Sequence, residues 1–213
     1  MPPGCYRTLC QVGIIQPMKI LASFTLGVLL MAAPALAQSW SIDPAHSRAQ
    51  FTVRHLGIAN IRGDFGAVTG TIEFDGKDIS RARVNASIDV NSLTTRVVPR
   101  DNHIKTDDFL LAEKFPTMTF VSTSIIAKGG GKYAMNGNLT IRGTTKPVTF
   151  DLDEVSKPLS RKGEADRVGA SASGWINRKD FGVKYHNVME NGVLGVDDRL
   201  FIQLDVEMIA AKK

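Results

Sequence analysis

The sequence predicts an all-β domain, and three observations predict it. Short segments alternate apolar and polar residues with period two. Glycine-bearing turns separate most of them. Most links are short, which favours antiparallel neighbours, and the longest connection runs from Asn91 to Pro116.

Eight segments carry the alternation. Arg48 to His55 puts Ala49, Phe51 and Val53 on one face and Gln50, Thr52 and Arg54 on the other. Ala67 to Asp75 gathers Val68, Ile72 and Phe74, and Arg83 to Val90 sets Val84, Ala86, Ile88 and Val90 against Arg83, Asn85, Ser87 and Asp89. Thr117 to Ala127, Lys132 to Ile141, Lys146 to Leu152 and Arg167 to Ile176 continue the series. The last, Arg199 to Ala210, places Leu200, Ile202, Leu204, Val206 and Met208 inward and Phe201, Gln203, Asp205 and Glu207 outward.

Turns are read at Asp75-Gly76, Gly129-Gly130-Gly131 and Arg142-Gly143, where glycine supplies backbone angles other residues resist. The long connection runs from Asn91 to Pro116, and its middle, residues 99–109, is expected to make one or two helical turns with Pro99 near the start. Eight such strands close into a barrel or stack as a sandwich, and the alternation serves both. Along Gly169-Ala170-Ser171-Ala172-Ser173-Gly174 neither face carries a large side chain. Either this strand lines an internal cavity, which an eight-stranded barrel is wide enough to hold, or bulky side chains from opposite strands fill the space.

The N-terminus reads as an export signal. Met18 and Lys19 open it, Ile20 to Ala33 is almost wholly apolar, and Ala35-Leu36-Ala37 is a small-x-small cleavage site before Gln38. The apolar run falls short of the roughly 20 residues of a spanning helix. Residues 1–37 are therefore expected to be an extension plus a removed leader, and residues 38–213 one periplasmic domain. Met1 to Pro17 precede a second start at Met18, and read as an extended reading frame or a longer leader. Both cysteines, Cys5 and Cys10, lie before the cut, so the mature domain is expected to hold neither disulfide nor thiol chemistry.

Composition narrows the function. The formal net charge is +5, two of the cations, Arg7 and Lys19, belong to the leader, and the remaining excess is scattered over many strands. Nucleic-acid binding calls for a clustered basic face, so none is expected. His46, His55, His103 and His186 are dispersed without zincin spacing, so no metal is expected. There is no Gly-x-Ser-x-Gly elbow, and the glycines before Lys132 lack the pattern of a phosphate loop. Arg178 and Asp180, directly after the small-residue strand, form either an anion-binding fork or a pair closing one barrel end. His46, Ser47 and His103 are further candidates for a ligand's head group.

Several segments together resemble the YceI-like family of lipocalin-like proteins. Asp43-Pro44-Ala45-His46-Ser47, Phe51-Thr52-Val53-Arg54-His55 and Gly63-Asp64-Phe65 are similar to its opening. Arg100-Asp101-Asn102-His103-Ile104 leading to Glu113-Lys114-Phe115-Pro116 is similar to its long connection. Gly137-Asn138-Leu139-Thr140-Ile141-Arg142-Gly143 with Lys146-Pro147-Val148, and Asn177-Arg178-Lys179-Asp180-Phe181-Gly182, complete the likeness from about Trp40 to the C-terminus. The resemblance implies an eight-stranded antiparallel lipocalin-like barrel with a long apolar tunnel that takes polyisoprenoid chains, including quinone tails and prenyl phosphates.

On that footing the inward positions Phe51, Val53, Ile72, Ile88, Phe120, Met135, Phe150, Ala170, Ala172, Gly174 and Ile176 are expected to meet an isoprenoid lipid bound without covalent cofactor. Ordinary core packing is the competing account of each. The expected role is non-catalytic binding, storage or transport of a polyprenyl or quinone-type lipid, with transient membrane-surface contact for exchange. Two alternatives stand beside it: an enzyme acting on a prenyl phosphate, with His103 or His46 moving protons, and a soluble partner of a quinone-handling membrane redox complex.

Overall fold

A computed structural model describes residues 38–75, 77–153 and 155–211. The expected leader, with Met18, Lys19, the Ala35-Leu36-Ala37 site and both cysteines, lies outside the described residues, as does the second residue of the Asp75-Gly76 turn. The strands are β1 (Gln38–Ile42), β2 (Arg48–His55), β3 (Ala59–Phe65), β4 (Val68–Phe74), β5 (Arg83–Asp89), β6 (Leu93–Thr94), β7 (Thr117–Gly129), β8 (Lys132–Ile141), β9 (Thr144–Leu152), β10 (Arg167–Asn177) and β11 (Val196–Ala210), with one helix, α1 (Val98–Ile104).

Eleven strands make eight staves. β1 and β2 both run antiparallel to the same edge of β11, Trp40 opposite Ala210 and Phe51 opposite Ile202. β3 then pairs with β2 and β4 with β1, and β6 pairs with β3 and β5 with β4. The first three staves are thus each one long strand broken once: β1–β2, β3–β4 and β5–β6. β7 to β11 follow as single strands, each pairing with its predecessor, and β11 closes on the first stave. The fold is an eight-stave, nearest-neighbour antiparallel barrel, and closure leaves no long open edge.

The period-two segments correspond to eight of the strands, with ends that differ by up to three residues. The segments they omit, β1, β3 and β6, are the other halves of the three broken staves. Ala59–Phe65 contains Asn60, Arg62, Gly63 and Asp64 and carries little apolar alternation, so its pairing partners rather than its own pattern make it a strand. In the long connection, α1 starts with Pro99 in its first turn but ends at Ile104, so Phe109 lies beyond it. The chain leaves the helix through tight turns in which Ala112 N–H donates to Lys105 O and Leu111 N–H to Thr106 O, each at 2.8 Å.

The first break is built by Asp43 to Ser47. Asp43 accepts the Ala45 N–H at 3.0 Å, the local turn expected of an Asp-Pro pair. Ser47, 1% exposed, then stands in for the missing ladder. Its hydroxyl accepts the Glu207 N–H at 3.0 Å and donates to Glu207 O at 3.3 Å. Arg167 bridges the Asp43 and Glu207 carboxylates outside this point. His46 Nδ1 sits 2.8 Å from Asp43, on the outer surface.

Interior space is preserved by pairing phenylalanines with glycines. A Cβ at Gly63 would lie 2.4 Å from the Phe51 ring opposite it, one at Gly137 would lie 2.4 Å from Phe120, and one at Gly174 would lie 2.8 Å from Phe150. Each ring lies against the backbone of a neighbouring strand. Gly174 therefore serves close approach of β10 to β9. Their ladder is short, Ala172 opposite Leu152 and Ser173 opposite Asp151, and it is prolonged by the Asp153 N–H to Ser171 O and Ser156 N–H to Gly169 O bonds.

Replacing Ser47 by alanine takes the acceptor from the part-buried Glu207 N–H, a loss of about 1–3 kcal/mol for an unsatisfied backbone donor. Urea unfolding is expected to show a lower midpoint with unchanged slope. A midpoint equal to wild type would mean that water replaces the hydroxyl.

Candidate functional site

Inside the staves lies one apolar cavity of about 380 Å³. The inward faces identified from alternation supply its walls, and every sequence-derived interior candidate except Gly174 borders it. Gly174 does not, because the Phe150 ring covers it. Ala170 and Ala172 contribute only methyl groups, and that is where β10 leaves room. The volume falls within the roughly 300–1,000 Å³ of small-molecule pockets.

Polar groups collect at one end. His55 ends β2, α1 brings Arg100 and His103, and the segment after β10 brings Arg178 and Tyr185 to the lining. The connection after α1 is fastened over this end. Arg142, a non-glycine residue at φ 51° in the β8–β9 turn, donates to Asp107 O at 2.6 Å and Phe109 O at 2.8 Å and pairs with the Asp107 carboxylate. Lys184 reaches the same carboxylate at 3.1 Å, and Tyr185 N–H donates to Asp108 O at 2.8 Å.

The hydrogen bond from Arg142, then that from Lys184, holds the Asp107 carboxyl below the ordinary carboxylate range. Phe109 and Tyr185 stack at 4.7 Å, and the His103 ring stands edge-on to both. Its Nε2 lies 2.7 Å from Asp108 Oδ2.

Arg178, expected either to read an anion or to pair with Asp180 and close a barrel end, pairs with Asp198 and not with Asp180. It is 5% exposed, and its guanidinium donates to Asp197 O (2.9 Å), Tyr185 O (2.6 Å) and Val196 O (3.1 Å), with Asp198 Oδ1 at 2.7 Å. Burial pushes its pKa down, against the opposing charges of Asp198 and Asp197. Its fork is spent tying the 3-10 turn Arg178–Phe181 and residue 185 to the start of β11. Asp180 is exposed and stands away from the lining.

His46 and Ser47 also lie away from the cavity, at the stave break. Asp43, His46 and Glu207 converge in a way that could suit a metal, but the Arg167 guanidinium already lies between the two carboxylates. Of the head-group candidates, His103 and Arg178 border the cavity and His46, Ser47 and Asp180 do not.

Sequence reasoning assigned no role to Arg142, Tyr185, Thr95 or Arg100. Arg142 carried a readable signal, since arginine before glycine in a tight turn is placed there against its steric preference. Thr95 and Tyr185 carried none.

The chain matches the model of the YceI-like domain over residues 40–208. It is 37% identical over 167 residues to a UPF0312 protein of Shewanella denitrificans and 38% identical over 171 residues to Protein YceI of Salmonella arizonae. Each alignment covers 78% of this chain and 87% of the relative. Among solved structures, the YceI protein of Campylobacter jejuni superposes with a TM-score of 0.63 at 28% identity, covering 75% of this chain and 90% of that one. Burkholderia cenocepacia BcnA gives 0.65 at 23% identity, covering 78% and 98%. A polyisoprenoid binding domain from Saccharophagus degradans gives 0.60 at 15%, covering 83% and 99%. The last two speak to the fold.

Because the Asp107 pKa is lowered in the folded state, its stabilisation is complete above the ordinary carboxylate value and is lost as pH falls through and below it. Asp107→Asn is therefore expected to melt below wild type at pH 7, with a gap that narrows at a pH below the ordinary carboxylate range. Parallel melting curves at both pH values would remove Asp107 from the fastening.

Proposed function

The chain belongs to the YceI-like domain family, and on that premise we propose that it is a non-catalytic binding protein for an isoprenoid lipid, of polyprenyl or quinone type, working in the periplasm. The observation that carries the reading is the apolar cavity inside the barrel, walled by alternating residues of all eight staves. The polyisoprenoid binding domain of similar fold supports the choice of chain.

A polyisoprenoid suits such a space physically. At roughly 0.8 kcal/mol per buried methylene-sized group, each five-carbon unit contributes on the order of 3–4 kcal/mol gross. Part of that is offset by ordering a flexible chain and by its lost translational freedom. The tail therefore dominates affinity, and polar groups at the α1 end set orientation.

Exchange with a membrane follows from the same reading. Ile58, 77% exposed, lies on the β2–β3 turn, and Gly57 beside it faces Val193. Val193 belongs to the loop that exposes Val188 and Met189, joined by the Met189 N–H to Val193 O bond. These apolar tips project from the end of the barrel at which His55 and Val196 pair.

The experiment is mass spectrometry of lipid extracted from gently purified protein, followed by melting with and without added prenyl lipid. A co-purified isoprenoid and a rise in Tm with lipid concentration are expected. Ala172→Phe should fill the cavity and weaken binding at least about tenfold while the far-ultraviolet dichroism stays β. Absence of lipid together with an unmoved Tm would reject the proposal, and turnover of an added prenyl phosphate would reject its non-catalytic part.

A further inference from the structure

The charged groups that line the cavity are all cationic. Among the described residues they are Arg100 and Arg178, with His55 and His103 at the same end, and no carboxylate joins them. The two arginines stand in different electrostatic situations. Arg178 is consumed by three carbonyls and Asp198. Arg100 has no carboxylate within ion-pair distance among the described residues.

What Arg100 does have is a fixed orientation. Its Nε donates to Thr95 Oγ1 at 2.7 Å and its Nη2 to Thr95 O at 2.9 Å. Thr95 is buried and is itself held by the buried carboxylate of Asp101, which accepts its N–H at 2.7 Å and its hydroxyl proton. With that proton committed to Asp101, the Thr95 oxygen offers Arg100 a lone pair. The guanidinium is thereby aimed before a ligand arrives, and its Nη1 has no protein acceptor among the described residues. A half-buried guanidinium beside an apolar cavity, held on one side and unspent on the other, matches the planar geometry of an oxyanion.

We infer that Arg100 selects the head group: the lipid held by this cavity ends in an oxyanion, phosphate or carboxylate, that pairs with Arg100, and not in a neutral quinone or alcohol. The inference rests on the lipid-binding reading above and narrows it to an anionic class. Thr95 and Asp101 are positioning residues, which act by holding the guanidinium.

The test compares three probes with one tail, farnesyl phosphate, farnesoic acid and farnesol, by calorimetry on the full folded domain. Wild type is expected to bind at least one anionic probe about 10- to 100-fold more tightly than farnesol, the range of a charge-assisted hydrogen-bonded pair. Whichever anion binds more tightly identifies phosphate or carboxylate as the head group. Raising the salt should narrow the gap. Arg100→Gln should abolish the preference. Arg100→Lys should keep part of it, and Thr95→Val should weaken it by loosening the guanidinium.

Equal affinity of all three probes for wild type, or an undiminished preference in Arg100→Gln, would overturn the inference while leaving lipid binding intact. Failure of every probe to bind wild type would instead remove the reading on which it rests. Should Arg100→Gln fail to fold, Arg100→Lys and the salt dependence of the wild-type preference decide the matter on their own.

Discussion

The fold depends on closing a hydrogen-bonded ladder around space that side chains do not fill. Backbone groups facing an apolar interior have no water to turn to, so each strand must find partners on both edges. β11 meets this demand for the whole barrel. One edge of its fifteen residues runs along β10, and the other serves β1 and β2 in turn. The junction between those two is the weak point of the closure, and Ser47 fills it with a hydroxyl that both donates and accepts. The Asp43 turn, the Arg167 bridge and the first bend of the barrel are all arranged around that residue.

Closure alone would yield a filled barrel if the inward residues were uniformly large. Two devices prevent that. β10 presents alanines inward where its neighbours present leucines, isoleucines and phenylalanines. Elsewhere phenylalanine rings lie against glycine backbones, so part of their large apolar area is buried against the wall. The same glycines that make the strands individually poor β formers make the barrel hollow.

This explains which parts were legible in the sequence. Strands with one wet and one apolar face announce themselves, and the inward residues of β2, β5 and β11 follow directly from alternation. β3 and β6 do not announce themselves, because their strand character is imposed by pairing, of β3 with β2 in a hairpin and of β3 and β6 with each other. Gly174 was legible as small but not as covered, since the ring that covers it comes from another strand. The polar end was the least legible. Arg178 looks like an anion receptor in sequence, and only the fold shows three main-chain carbonyls converging on it. Arg100 carries no such signal in sequence, and only the fold shows Thr95 held by Asp101 and turned to its guanidinium.

The two arginines define a division of labour at that end. A cation facing an apolar cavity is costly unless its charge is answered. Arg178 is answered by the protein, and in return fixes the turn after β10 to the start of β11. Arg100 is answered only through Thr95, at one remove from Asp101. An interior that is hollow, apolar and bounded by one incompletely answered cation is itself incompletely packed and incompletely neutralised. Both deficits would be relieved together by a ligand with an apolar tail and an anionic head. The alanine-lined strand and the oriented guanidinium are thus the features from which binding of such a ligand would draw its free energy.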